Sequence, residues 1–354
     1  MKKNPIQVAL AIAVTAALAL GACGSDDAGG DSTGAGAGSD TIRIVGFAVP
    51  EAANVAIGEE WNETDEGKGV SFQTSYGASG DQSRGVAAGQ PADYVHFSVS
   101  SDVTRLVDEG LVDETWNQGD NKGVVSTSVV VFAVRKGNPL GITDWDDLVE
   151  DGVEIVTPNP SSSGAARWNA LAAYGQVIEG GGTEAEAEEF VNAIYANAVS
   201  LPGSGRDATQ AFVGGTGNVF ITYENEAILT RQDHSDGEDV FDYIVPETTL
   251  LIENPGAILA DASPKAQAWL DFVLGPDGQR QFALKGFRPV GDPEGDTVDF
   301  EVAGVNDPSD PYPNIPNLLT VENDFESWSA LSEKFFADET GIVTKAISAS
   351  GAAQ

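Results

Sequence analysis

The chain is poor in the residues that most catalytic and metal centres require. Its 354 residues hold one cysteine, one methionine and two histidines. A single cysteine, Cys23, excludes an internal disulfide and a thiolate metal cluster. His96 and His234 have no histidine or cysteine neighbour at metal-ligand spacing. His96 sits inside an apolar strand pattern and His234 in the polar run Gln232 to Asp239. No H-E-x-x-H or Walker A string is present, so neither a zinc protease helix nor a nucleotide loop organises the chain. Basic residues are scarce too: 18 Lys and Arg stand against 55 Asp and Glu, a net charge of −37. Without a basic stripe to neutralise phosphates, nucleic acid and anionic lipid surfaces are disfavoured as partners. The acidic clusters Asp144 to Asp147 and Glu184 to Glu189 fall at helix starts or on helix faces, where they compensate the dipole and solvate the surface. The expectation is therefore a protein that is not an enzyme and uses neither metal nor cofactor.

What the chain has at its start is a processing signal. Lys2 and Lys3 precede the apolar run Ile6 to Leu20, which is too short and alanine-rich to favour a spanning helix. Leu20-Gly-Ala-Cys23 follows and resembles a bacterial lipobox. Residues 1–22 then form a lipoprotein signal peptide, and Cys23 carries the lipid. Residues 23–40, made of Gly, Ser, Ala, Asp and Thr, read as a flexible tether. The expected location is the extracytoplasmic face of the cell membrane, reached through the lipid anchor only.

From Thr41 onward, strand and helix patterns alternate: a strand Ile42 to Phe47, a helix Glu51 to Asn62, a strand Val70 to Ser75, a helix Ser79 to Ala88, a strand Ala92 to Phe97 and a helix Ser101 to Glu109. Such alternation argues for a mostly parallel sheet covered on both faces. The β-branched run Val124 to Val134 and the segment Thr249 to Pro255 read as strands that cross between two lobes. The expected lobes are 41–121 with 250–349, and 122–249. Residues 291–316 read as an irregular surface connection, Thr320 to Phe336 as helix, and Ser348 to Gln354 as a frayed tail.

Three Ser-Gly turns recur between strand and helix: Tyr76 to Asp81, Thr157 to Trp168 and Leu201 to Arg206. Each opens a helix whose first amides lack an intrahelical acceptor, which suits a small oxyanion. A single turn of this kind is ordinary capping chemistry; three in the same context point to one pocket.

Longer motifs carry a family resemblance. T-P-N-P-S-S-S-G-A-A-R-W-N (Thr157 to Asn169), V-F-A-V-R-K-G-N-P (Val131 to Pro139), D-W-D-D-L (Asp144 to Leu148), Y-E-N-E-A (Tyr223 to Ala227) and G-F-R-P (Gly286 to Pro289) together resemble the sulfate/thiosulfate-binding proteins of bacterial ABC importers. The resemblance implies an α/β, two-lobed periplasmic-binding-protein fold of type II with the ligand in the cleft. It implies a monomeric receptor whose partners are sulfate or a related oxyanion and the permease subunits of an importer. The ligand residues it implies are Ala48, Ser79, Gly80, Ser163, Gly164, Ala165, Gly205 and Tyr223. Arg167 and Arg206 are expected either to brace the turns or to bias the local potential. This chain departs from the family in two places. Tyr223 replaces the family's Trp donor, and Phe47-Ala-Val-Pro50 replaces its Tyr-Asp-Pro. A tyrosine hydroxyl donates one hydrogen bond but also accepts, and Tyr223 has an alternative reading as a core aromatic.

Selectivity follows from counting donors. Sulfate only accepts hydrogen bonds near neutral pH, whereas monohydrogen phosphate carries a proton that needs an acceptor. Donors alone leave that proton unpaired, at a cost of about 1–3 kcal/mol. Phosphate or molybdate on the same fold is the first alternative, and an exported serine hydrolase using Ser79 the second.

Overall fold

The computed structural model describes residues 41–234, 240–292 and 295–351. The expected signal peptide, the expected tether and Cys23 lie outside the described residues. The chain opens with β1 (Thr41–Phe47), α1 (Glu51–Asn62), β2 (Ser71–Gly77), α2 (Ser79–Ala87), β3 (Tyr94–His96) and α3 (Ser100–Asp108). The long strand β4 (Val124–Val134) and a 3-10 turn at Trp145–Val149 follow. Next come β5 (Ile155–Val156), α4 (Gly164–Glu179), α5 (Glu184–Ala196), β6 (Ala198–Ser200), α6 (Gly205–Val213), β7 (Val219–Tyr223), α7 (Glu224–Asp233) and β8 (Asp242–Ile244). A second long strand, β9 (Thr248–Ile258), leads to α8 (Ala266–Leu274) and α9 (Pro276–Leu284). The C-terminal part holds β10 (Asn317–Leu319), α10 (Val321–Asp324), α11 (Trp328–Phe336) and α12 (Ile342–Ser350).

The strands join in the order β2-β1-β3-β9-β4-β7-β5-β6, with β10 on β9 and β8 on β4. Both ends are parallel, as the β–α alternation requires, but the middle is antiparallel: β9 runs against β3 and β4, and β4 runs against β7. The two long strands make this join. Residues Val124 to Val129 of β4 pair with β9, and Val130 to Val134 pair with β7. The β-branched composition of β4 suits this position, because Val125 to Val134 are buried throughout.

Three expectations are corrected. First, β9 does not stop at Pro255 but continues to Ile258. Pro255 lies where the register with β4 shifts, so its missing N–H is tolerated there, and its carbonyl accepts from Phe97 N at 2.9 Å. Second, residues 295–316 are irregular but not a surface strand of loop: Val302, Val305, Tyr312 and Ile315 are buried, and the Tyr312 hydroxyl donates to the Ala283 carbonyl at 2.6 Å. Asp, Pro and Gly exclude regular structure there without excluding burial. Third, the helix expected over 320–336 is broken, and Ser327 starts α11 by accepting from Ala330 N at 3.3 Å. At the end of the chain, α12 stays helical to Ser350 and stops at Gly351, whose φ is 68°.

The C-terminal helices pack on α4 and α5. Trp328 meets Trp168 edge-on at 4.7 Å, Phe335 meets Tyr174 at 4.8 Å, and Lys334 pairs with Glu184 at 2.8 Å. Among the described residues no helix is long and apolar enough to cross a membrane.

Candidate functional site

Each Ser-Gly turn ends at a helix, but the serines differ in what they do. Ser204 is an ordinary cap of α6: its hydroxyl accepts from Asp207 N at 3.1 Å. Ser163 occupies the N-cap position of α4 and is buried, yet its side chain makes no capping bond. Its hydroxyl and the amides of Gly164 and Ala165 have no partner among the described residues. Ser79 is the first residue of α2, after Ala78. Its hydroxyl donates to Asp102 Oδ2 at 2.6 Å and accepts from Ser98 N at 2.9 Å. Its side chain is therefore engaged within the protein, and its backbone amide is what remains.

The turns lie against one another. Gly80 N donates to Ser162 O at 3.0 Å, tying the α2 turn to the α4 turn. A Cβ on Gly164 would stand 2.5 Å from Ser98 Cβ and Oγ. A Cβ on Gly205 would stand 3.2 Å from Val49 Cγ2 and 3.5 Å from Ala165 Cβ. Glycine is needed at 164 because the Ser98 side chain lies against it, not because of its φ. The α1, α2, α4 and α6 starts thus share one locus with Ser98. Ala48 lies there too, but its amide donates to Gly77 O at 2.9 Å, as the Gly80 amide does to Ser162. The neighbouring Val49 amide has no partner among the described residues.

Tyr223 ends β7, caps α7 by position and is fully buried. Its ring lies 6.3 Å from that of Phe47, and its hydroxyl is 2.7 Å from Ser98 Oγ. Burial pushes that hydroxyl far above its usual range, so it stays protonated at neutral pH. Ser98 is held from three sides: its carbonyl accepts from Trp168 Nε1 at 2.8 Å and Asn254 Nδ2 at 3.0 Å, and its amide reaches Ser79 Oγ.

The arginines sit behind the turns. Arg167 donates from Nε to Pro160 O at 3.2 Å and stacks over Phe336 at 5.1 Å. Arg206 forms an ion pair with Glu226 at 2.9 Å, a contact without hydrogen-bond alignment, and reaches Val49 O at 3.4 Å. Glu226 is buried, which raises its carboxyl above the usual range against the pull of Arg206. Beneath α7, Arg288 and Glu224 make a fully buried ion pair with contacts of 2.6 and 3.0 Å. Gly286, at φ 88°, lets the chain pass Ile228 and Asn225 closely enough to place it. His96 is buried between Asn54 and Ser126, and burial lowers its imidazole to about 3, so it is neutral. Among the described residues no group of three or more His, Cys, Asp and Glu is placed to hold a metal.

The sequence pattern missed Ser98, Asp102, Val49 and Asn254. One signal was available: Phe97-Ser-Val-Ser-Ser101 is a fourth strand–serine–helix turn, but it lacks the glycine that marked the other three.

The family of bacterial extracellular solute-binding proteins matches residues 42–288. The sulfate-binding protein of Synechococcus elongatus is 37% identical over 340 residues, covering 93% of this chain and 92% of that protein. The thiosulfate-binding protein of Pseudomonas aeruginosa is 33% identical, covering 80% of this chain and 84% of that protein. The solved structure of the sulfate-binding protein SubI from Mycobacterium tuberculosis superposes with a TM-score of 0.75 at 42% identity, covering 84% of this chain and 100% of that one. The chain belongs to the sulfate/thiosulfate-binding family of bacterial extracellular solute-binding proteins, and its fold is the type II periplasmic-binding-protein fold.

Proposed function

We propose that this chain is an extracytoplasmic receptor that captures sulfate, with thiosulfate as a related ligand, and hands it to an ABC importer. The observation that carries this reading is the meeting of the α1, α2, α4 and α6 starts at one buried locus, with several first-turn amides that have no partner among the described residues. Helix N-termini carry partial positive charge, and their amides donate hydrogen bonds to an anion while offering it no acceptor. The ligand set is Ser79 and Gly80 on α2, Ser163, Gly164 and Ala165 at α4, Gly205 at α6, and Tyr223. Val49 joins it in place of Ala48, whose amide already donates to Gly77. Gly80 contributes after its bond to Ser162 O yields to the anion. Arg167 and Arg206 brace the turns, because their guanidinium groups bond to Pro160 and Val49 carbonyls.

The two lobes are 41–121 with 250–316, and 122–249 with 317–351, hinged where β4 and β9 cross. The packing of α11 and α12 on α4 and α5 favours letting residues 317–351 move with the second lobe. The receptor is a monomer held to the membrane by lipid on Cys23. It is a binder, not a hydrolase. The acidic partner of Ser79 is Asp102, whose other oxygen is paired with Arg105 at 3.0 Å, and both ring nitrogens of His96 are engaged by Asn54 and Ser126, so no histidine base stands by that serine. Titration calorimetry with sulfate at fixed ionic strength, competed by thiosulfate, phosphate and molybdate, tests the reading. Saturable sulfate binding displaced by thiosulfate is expected. Binding of phosphate or molybdate in preference to sulfate would reassign the ligand.

A further inference from the structure

Tyrosine at position 223 poses a chemical problem for a site that selects a proton-free anion. Its hydroxyl donates one hydrogen bond, but its oxygen also accepts. An accepting oxygen would welcome the proton of monohydrogen phosphate and erode the discrimination that donors alone provide. Two hydroxyls 2.7 Å apart share one hydrogen bond and leave one proton over. Which hydroxyl donates therefore decides what Tyr223 presents to the site.

Resting on the oxyanion reading above, we propose that Ser98 is a specificity-determining residue: its hydroxyl donates to Tyr223 Oη, occupying the lone pair and leaving the Tyr223 proton to the ligand. Three observations support this direction. Ser98 is fixed through its own backbone, by Trp168 and Asn254 at the carbonyl and by Ser79 at the amide, so its Oγ is held at one place. Its Oγ has Tyr223 as its only hydrogen-bond partner among the described residues, so donating elsewhere would leave a buried proton unpaired. The Gly164 backbone passes so close that a Cβ there would stand 2.5 Å from Ser98 Oγ, which sets the pair beside the first amides of α4. The hydroxyl pair then behaves toward an anion as one donor with no acceptor. An indole N–H does the same with a single larger side chain.

The test compares sulfate and inorganic phosphate affinities, measured by calorimetry at pH 7, in the parent and four variants. Ser98→Ala frees the Tyr223 lone pair, and the sulfate-to-phosphate affinity ratio is expected to fall about tenfold or more. Ser98→Ala with Tyr223→Trp restores a pure donor of larger volume and is expected to recover the ratio. Tyr223→Trp alone is expected to bind poorly, since the indole meets the Ser98 hydroxyl. Tyr223→Phe keeps the ring and the fold while removing the oxygen, so both anions weaken together and the ratio stays within about threefold of the parent. A Ser98→Ala variant that binds both anions with the parent ratio overturns the proposal. So does Tyr223→Phe raising the ratio sharply, because Tyr223 would then have been accepting from phosphate in the parent. That second arm decides the matter even if Ser98→Ala fails to fold. A parent that binds no sulfate at all would overturn the oxyanion reading and this inference together, whereas sulfate binding with an unmoved ratio removes the inference alone.

Discussion

Gly164→Ala offers the sharpest test of how the site is built. The added Cβ stands 2.5 Å from Ser98 Cβ and Oγ. Ordinary van der Waals contact begins near 3.4 Å, so the α4 start and the Ser98 segment must separate by roughly 1 Å. Ser98 has little freedom to retreat, because its carbonyl is held by Trp168 and Asn254 and its amide by Ser79. Overpacking of this kind costs about 1–3 kcal/mol, and stretching these bonds adds about 1 kcal/mol. The clash lies between segments of the two proposed lobes, so it is expected to oppose closure on the ligand more than folding. Sulfate affinity should fall by about 2–4 kcal/mol, or roughly 30- to 1000-fold. Folding stability should change little, since alanine gains up to about 1 kcal/mol over glycine in a helix. Gly205→Ala is the control: its Cβ meets Val49 Cγ2 at 3.2 Å and Ala165 Cβ at 3.5 Å, contacts that need only tenths of an ångström of adjustment. It should keep affinity within about threefold of the parent. Calorimetry and thermal denaturation on both variants decide the matter. Equal affinities for Gly164→Ala and the parent, or equal losses for the two variants, would refute the convergence of the α4 start on Ser98.

Arg288→Met leaves Glu224 buried without its counter-charge, and a loss of about 3–5 kcal/mol is expected, lowering Tm by roughly 6–10 °C; differential scanning calorimetry measures it, and adding Glu224→Met should return part of the loss. The imidazole of His96 is held at about 3, below its unfolded value, so its contribution is complete above pH ~6.5 and is lost as pH falls toward 3. His96→Gln should therefore flatten the decline in stability between about pH 6.5 and 5, by up to about 1.4 kcal/mol per pH unit, in urea melts at stepped pH; an unchanged slope would place a proton on His96 in the native state. Cys23→Ser should move the protein from the membrane fraction to the soluble fraction or leave it unprocessed, and continued membrane partitioning of a normally processed variant would exclude lipid on Cys23.

Local chemistry made much of the fold legible. The run Val124 to Val134 forms a strand with those bounds because a β-branched segment buried on both faces has no better conformation. The helix Glu51 to Asn62 likewise keeps the bounds its pattern suggests. Strand-turn-helix grammar located the α2, α4 and α6 starts, since capping residues and glycine act within a few positions of one another. Errors arose where composition stood in for context. Pro255 stays within β9 because it meets an irregular register, and the Asp-rich segment 295–316 is pinned by Tyr312 and Val302.

By itself the sequence determined that the chain is a strongly acidic α/β protein with several helix starts suited to an anion, because charge, periodicity and capping are properties of neighbours along the chain. Only the tertiary structure decided which of those groups work together. Ser98 meets Tyr223 across 125 residues and Asn254 across 156, and Ser79 spends its hydroxyl on Asp102 rather than keeping it for a ligand. Such assignments depend on competition between donors and acceptors brought together by folding, and a buried hydroxyl goes to whichever partner the packing supplies.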